Sequence, residues 1–514
     1  MPDLALSALA PLPLMAAALP FLARPGRRPG ALPRLAEGAT LAALALAAGS
    51  LGQLLMMGPQ VLDLGGTALM RLDAVSVTMA LLVAFVGWVV TRYARRYLDG
   101  EAREGAFHAL TLAAVAAVLV LVQAASLPVM IAAFVATGLI LRQLLLFYPE
   151  RAEARRAAAK FIRVWGAGDL ALVAAALLFW QGLGTVDLAA LNAAATLPLS
   201  AQTGIALVVL AAALKCASFP VHGWLTEVME APTPVSALLH AGIINSGGVL
   251  LISLAGLAQS SPGAMAALVM IGGFTALFGA LVMLTQSAVK TALAWSTVAQ
   301  MGFMLLQCGL GLWALALLHI VAHSLYKAHA FLSSGGAVQA VNAIRKPGPV
   351  AVPGLGAVLR SFGLALLLYG AVAAGFTALV GEKSAQALAL GAILIFGVSY
   401  LIAQGLADAA PGALTRRTLT ASLAAALAYF GFQVVAQAVW GPSLPAAPES
   451  GALEWALIVL ALLSFGLAAF AQALFPLWAH HPATAGLRVH LANGLYLNAL
   501  LDRVIGGFRS PSRS

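Results

Sequence analysis

Residues 215–242 read KCASFPVHGWLTEVMEAPTPVSALLHAG. The stretch opens on Lys215, is interrupted by Pro220 and Gly223, and passes Glu227 and Glu230 before apolar sequence resumes and reaches His240. Proline removes a backbone donor and clashes with the preceding turn, so a helix entering this stretch breaks just beyond the lysine. The apolar run 203–224 puts Lys215 roughly mid-helix. A broken helix at membrane depth is tolerated only where its free amides and carbonyls line protein or a wet cavity. A charge at that depth costs at least about 2.5–3.5 kcal/mol on insertion scales, so it needs a reason. Lys215 is therefore read as a group that exchanges a proton beside the break. The plainer alternative is a lysine that snorkels or pairs with Glu227 or Glu230.

The rest of the chain makes membrane depth the right frame. Of 514 residues, 62% are hydrophobic and only 9% charged, more apolar surface than a soluble core absorbs. The net charge of +10 is scattered through short loops rather than striped on one face, which argues against nucleic acid and for topology. The cysteines, Cys216 and Cys308, both lie in apolar runs and exclude a disulfide framework or an iron–sulfur site. No GxGxxG or Walker loop is present. A bilayer core takes about 20 apolar residues per helix, and about fifteen such runs follow one another from 4–23 to 452–476. The expected fold is an all-α polytopic membrane protein of about 14–15 transmembrane helices. With the N-terminus outside, only Arg71 and Lys383 fall in outer segments and Lys215 and Lys327 within helices; every other Lys and Arg falls on the inner side.

Further ionisable residues lie inside the runs. In HIVAHSLYKAH, His319, His323 and Lys327 are spaced i, i+4, i+8 and share one helix face. Imidazoles that titrate near neutrality relay protons along such a face. The spacing also suits zinc, but the glutamate of HExxH is absent, and satisfied core histidines are the third option. Lys290 opens the helix KTALAWSTVAQMGF and is either an ion-handling group or a topological lysine. Asp169, in WGAGDLAL, is placed in the first turns of its helix as a cap, a partner for a basic residue, or a functional acid. The charge run 149–160, PERAEARRAAAK, is read as a solvated loop. Beyond residue 477, apolar residues at helical spacing beside Arg503 and Arg509 indicate an interfacial helix or a surface for a cytoplasmic partner.

WLTEVMEAPTPVSALLHAG with Lys215 before it, VKTALAWSTVAQMGFM and HIVAHSLYKAHAFLSSG together resemble the antiporter-like subunits of respiratory complex I and of multisubunit sodium/proton antiporters. The resemblance is specific over 205–336 and extends from RLDAVSVTM at 71 to the end of the helical region. It implies two inverted five-helix repeats, helices 4–8 and 9–13, each with a discontinuous helix. The implied domains are helices 1–3 (1–103), the first repeat (104–258), the second repeat (259–410), C-terminal helices (411–476) and a cytoplasmic amphipathic tail (477–514). It also implies a cation pathway through Lys215, Glu230, His240, Lys290, His319, His323, Lys327 and Asp169, with His240 as a neighbour of Lys215 and with Pro220 and Gly223 at the break.

Two departures stand out. Those subunits pair the lysine with a glutamate from the fifth helix in a pattern like WELVG; here FVATG puts Val135 in its place. In the second repeat, AGFTALVGEK puts Leu379 where a lysine is expected, with Glu382 and Lys383 beyond it. A narrower resemblance, in LRQLLLFYPERAEARRAAAKFIRVWGAGDLALVAAALL and NGLYLNALLDRVIGGFR, is to the DabB family, membrane subunits of a two-component inorganic carbon pump. It implies a DabA-like cytoplasmic partner resembling a zinc β-carbonic anhydrase, driven by H⁺ or Na⁺ to hydrate CO2 to bicarbonate. This chain would then be no enzyme, hold no cofactor, meet membrane lipid but no nucleic acid, and span the bacterial inner membrane with its C-terminus in the cytoplasm. The alternatives are a proton-translocating subunit of complex I or a multisubunit antiporter, and a passive anchor for a soluble enzyme.

Overall fold

The structure, a computed structural model, describes residues 6–336, 354–405, 412–474, 478 and 481–504. Each of the fifteen apolar runs is a helical segment. The first five are α1 (Leu6–Leu22), α2 (Leu32–Met57), α3 (Ala74–Tyr97), α4 (Glu104–Gln123) and α5 (Leu127–Leu145). They are followed by α6 (Ala152–Leu183), α7 (Leu199–Lys215), α8 (Thr233–Ser253), α9 (Pro262–Met283) and α10 (Val289–Gly309). The last five are α11 (Trp313–Ser333), α12 (Leu355–Val380), α13 (Ala385–Gly405), α14 (Gly412–Trp440) and α15 (Ala452–Ala473). Eleven of these, by length and apolar composition, suffice to cross a bilayer. Arg345, Lys346, Arg509 and Arg513 lie outside the described residues, as do the boundary near 410 and the last residues of the tail.

Loop contacts sort the helix ends onto two faces. On one, the α4 start meets the chain after α1 through Gly105 N–H to Gly26 O (3.1 Å) and Ala106 N–H to Pro25 O (2.9 Å). The α6 start lies there too, bound to the tail by Lys160 and Asp502 (2.6 Å). On the other face, Leu127 N–H bonds Val186 O (2.9 Å), Asn192 bonds Ser253 O (2.8 Å), and Gln259 bonds Ala446 O (2.7 Å). This alternation is what a chain that crosses a bilayer repeatedly produces.

The second face also carries an antiparallel hairpin, Gln60–Leu64 with Thr67–Leu72, which the sequence reading did not anticipate. Gly65 and Gly66 at its two-residue turn both have positive φ (+62° and +81°), the geometry that suits strand twist. Asp73 then starts α3, accepting from Ser76 N–H at 2.7 Å while Ser76 Oγ accepts from Asp73 N–H at 2.8 Å.

Two expected boundaries moved. α6 begins at Ala152, not near 161, so most of PERAEARRAAAK is helix rather than solvated loop, and Asp169 is mid-helix rather than in the first turns. Ala, Glu, Arg and Lys are strong helix formers, and tertiary ion pairs absorb the charge. α7 stops at Lys215, so the lysine is at a helix end rather than mid-helix. α8 is itself interrupted at Gly242 (φ −120°, ψ −78°), with a 3-10 turn Ile243–Asn245 before helix resumes at Ser246. By contrast α12 runs unbroken where the resemblance implies a second discontinuous helix; it contains no proline to force a break. The core is continuous across α1–α11, with α8 buried along almost its whole length and α12 largely exposed.

Candidate functional site

Beyond Lys215 the chain turns sharply, and its exposed acceptors are taken up locally. Cys216 N–H bonds Ala212 O (2.9 Å), Ser218 N–H bonds Ala213 O (3.0 Å), and the Trp224 indole N–H bonds Leu214 O (3.1 Å). Phe219 N–H bonds Thr275 Oγ1 at 3.1 Å, fixing the break to α9. Helix resumes as the single turn Gly223–Thr226, followed by a 3-10 turn Val228–Glu230. Lys215 therefore sits at a helix C-terminus, where the aligned peptide dipoles favour positive charge.

Its ammonium is fully buried and lies 2.6 Å from Asp169 Oδ1. It also sits over two aromatic faces, 4.2 Å from the Phe134 ring centre and 4.0 Å from that of Trp165. Desolvated cation–π contacts of this kind are worth about 2 kcal/mol. Trp165 is oriented by its N–H bond to Phe134 O (3.1 Å) and closes on Gly138, where an added Cβ would stand 2.4 Å from Trp165 Cδ1. Lysine, carboxylate and rings thus come from α5, α6 and α7. Of the carboxylates the sequence offered, neither Glu227 nor Glu230 reaches the lysine, and Asp169 is the one that pairs with it; Val135, where the related subunits carry an acid, is 39% exposed. The acid comes from the adjoining helix, which lies close against α7 at Gly168, where an added Cβ would stand 3.4 Å from Lys215 Cε.

His222, which the sequence reading passed over, follows the break. It is fully buried against Trp295 (ring centres 4.9 Å) and Phe278 (5.4 Å), and neither ring nitrogen has a hydrogen-bond partner among the described residues. A histidine two residues past a proline inside an apolar run was the available signal. Outward of it, Lys160, only 4% exposed, binds Glu227 Oε1 and Asp502 Oδ1, each at 2.6 Å. Arg156 joins the same two carboxylates. No sequence signal links these three distant segments.

The second group gathers on α10 and α11. His319 Nδ1 is 2.9 Å from Gln307 Oε1, and its ring centre is 6.0 Å from that of His323, which has no hydrogen-bond partner among the described residues. A cavity of about 620 Å³ adjoins both histidines and is otherwise mainly apolar. Lys327 is fully buried and donates to Leu293 O (2.9 Å), with no ion pair among the described residues. His240 belongs with this group rather than beside Lys215: Nδ1 is 3.1 Å from Thr297 Oγ1 and the ring stacks on Phe331 at 4.4 Å. The α8 segment before Gly242 packs on α11, which carries His240 to that side. Of the remaining candidates, Glu230 is at the surface with Arg151 (2.8 Å), and Lys290 is half-exposed in the first turn of α10 with no ion pair among the described residues. Leu379 is 85% exposed.

Comparison with known proteins agrees with this architecture. Residues 124–350 match the family described as "NADH:quinone oxidoreductase/Mrp antiporter, TM", and residues 63–108 match "NADH-Ubiquinone oxidoreductase (complex I), chain 5 N-terminus". The chain is 36% identical over 490 residues to a probable inorganic carbon transporter subunit DabB2 of Halothiobacillus neapolitanus, covering 90% of this chain and 86% of that one. It is 43% identical over 272 residues to a probable subunit DabB of Hydrogenovibrio crunogenus, about half of each chain (51% and 52%). It is 33% identical over 275 residues to NADH-quinone oxidoreductase subunit L of Escherichia coli, covering 52% and 45%. Its fold is shared with a chain of the Mrp complex from Dietzia sp., with a TM-score of 0.64 at 23% identity, over 98% of this chain and 59% of that one. The chain belongs to the DabB family of inorganic carbon transporter subunits, a multi-pass membrane branch of the complex I and Mrp antiporter-like superfamily.

Proposed function

We propose that this chain is the cation-conducting membrane subunit of an energy-coupled inorganic carbon pump. The observation that carries the reading is the buried Lys215–Asp169 pair at an interrupted helix, roofed by Phe134 and Trp165. An ammonium and a carboxylate in contact, held between helices from which water is largely excluded, form a site whose charge changes when one proton arrives or leaves. Only a group with two states of different energy lets a cation gradient bias a conformational equilibrium. H⁺ or Na⁺ moving down its gradient past this pair shifts the surrounding helices, and the shift is passed to a DabA-like cytoplasmic partner that hydrates CO2 on zinc. Bicarbonate then accumulates inside the cell. The reading places the protein in the inner membrane, N-terminus outside, with the face that carries the tail in the cytoplasm; the basic residues gathered at that face support the orientation.

Co-expression with a DabA-like partner in a strain lacking carbonic anhydrase should restore growth in air, and Lys215→Ala should abolish the rescue while the protein remains in the membrane. Normal rescue by that variant sinks the role of Lys215. A proton-translocating subunit of complex I or a multisubunit antiporter is the second reading, favoured by the second buried lysine, Lys327. Neighbouring genes separate the two: quinone-module subunits in one case, a large DabA-like reading frame in the other.

A further inference from the structure

The C-terminal segment does not lie free on the surface. Ala492 O accepts from Gln286 (3.3 Å), and Gly494 packs under the Trp295 ring, where an added Cβ would stand 3.3 Å away. The helix Leu497–Val504 then crosses to the single turn that follows the α7 break. There Asn498 is pressed onto Gly223, whose added Cβ would lie 1.8 Å from Asn498 Oδ1, and Asn498 Nδ2 is 3.5 Å from Thr226 Oγ1. Asp502, 7% exposed, completes the bond to Lys160 and Arg156. Trp295, which covers His222, is thus itself covered by the tail.

Two features mark the segment as a movable part rather than static packing. Its helix is joined to α6 and to the turn by polar contacts and to the core by Leu497, while Leu500 and Val504 remain exposed, so few apolar side chains hold it down. Gly494, Leu495 and Tyr496 in succession have positive φ (57°, 53° and 57°), a conformation that costs L-residues energy and that the docked contacts must sustain.

We infer that the segment from Asn493 to Val504 is a gate over the turn that follows the α7 break and over the buried His222 beneath Trp295, latched by Asp502 on Lys160 and Arg156. With the latch closed, the turn Gly223–Glu227 is pinned and water has no route to the break from that face. With it released, the turn is free to move and His222 is reached from outside. Asp502 is a positioning residue: it touches no ion in the pathway and acts through Lys160, Arg156 and the segment that it holds.

The test is thiol access in full-length protein in membranes oriented with the tail face outward. His222→Cys in a background with Cys216→Ala and Cys308→Ala should react slowly with a membrane-impermeant maleimide. Adding Asp502→Asn should speed the reaction about tenfold, and Asp502→Glu should return it towards the slow rate. A Thr226→Cys/Asn498→Cys disulfide formed beside Asp502→Asn, scored with the probe thiol protected during oxidation, should slow labelling again until it is reduced. Equal labelling rates with and without Asp502→Asn overturn the gate. This readout needs no ion flux, so it fails or succeeds separately from the proposed function. The dependent arm rests on that function: in proteoliposomes, Asp502→Asn should raise the Lys215-dependent cation leak several-fold. Flux abolished by Lys215→Ala but unmoved by Asp502→Asn would also count against the gate.

Discussion

The molecule buries two lysines at membrane depth and treats them in opposite ways. Lys215 has a carboxylate at 2.6 Å, two aromatic faces and a helix C-terminus around it. Lys327, equally buried, has one backbone carbonyl, and one turn before it on α11 stands His323, which has no hydrogen-bond partner among the described residues. A paired ammonium is close to neutral as a unit, and removing one partner strands the other. The lone lysine depends on a single hydrogen bond and on whatever its histidine neighbours supply. The first arrangement stores a separated charge at a fixed place; the second is suited to passing one along. The helix breaks differ in the same sense. Pro220 interrupts the first half next to its lysine, while α12 in the second half runs straight to an exposed Leu379.

The largest expected effect comes from splitting the pair. Asp169→Leu leaves an uncompensated buried ammonium and should cost about 3–5 kcal/mol, seen as a lower unfolding temperature in detergent. The double variant Asp169→Leu/Lys215→Met should recover most of that stability yet give no growth rescue. If it is as unstable as the single change, the two groups are not a unit. A smaller loss, about 1–3 kcal/mol, is expected for Gly138→Ala, whose methyl collides with Trp165 and forces the ring off Lys215. Lys327→Met removes one hydrogen bond, and burial of its long stem is retained, so stability should shift by about 1 kcal/mol or less; a loss as large as that of Asp169→Leu would erase the contrast between the halves. The smallest effect is the most pointed. Val135→Glu in the Asp169→Asn background should not restore rescue, because position 135 faces away from the lysine; restored rescue would show that the acid can be supplied from α5 after all.

That last comparison also marks how far the site was legible. Lys215, Pro220, His319, His323 and Lys327 stood out because each is a polar or helix-breaking residue in an apolar run, a contrast visible in one dimension. Asp169 stood out for the same reason, but its partner did not. Alignment on a glycine pointed to Val135 as a missing acid, whereas the acid is present one helix later. His240 was assigned to the wrong lysine because proximity along the chain was taken for proximity in space, and the interruption at Gly242 lies just beyond it. His222 was overlooked beside two more conspicuous prolines and carboxylates. The cluster of Lys160, Glu227, Arg156 and Asp502 had no trace at all, since ordinary charges in three distant segments look alike until the fold joins them.

The sequence by itself determined that this chain lives in a bilayer, that its apolar runs form fifteen helices, and that one of them stops beside a lysine. Those outcomes follow from hydrophobic transfer energy and from proline's missing N–H, both of which act within a few residues. Tertiary structure alone decided which acid holds that lysine, which histidines belong to which half, and what covers the mouth of the break. Each of these depends on how far one helix slides along another, and that register is set by the packing of many apolar side chains.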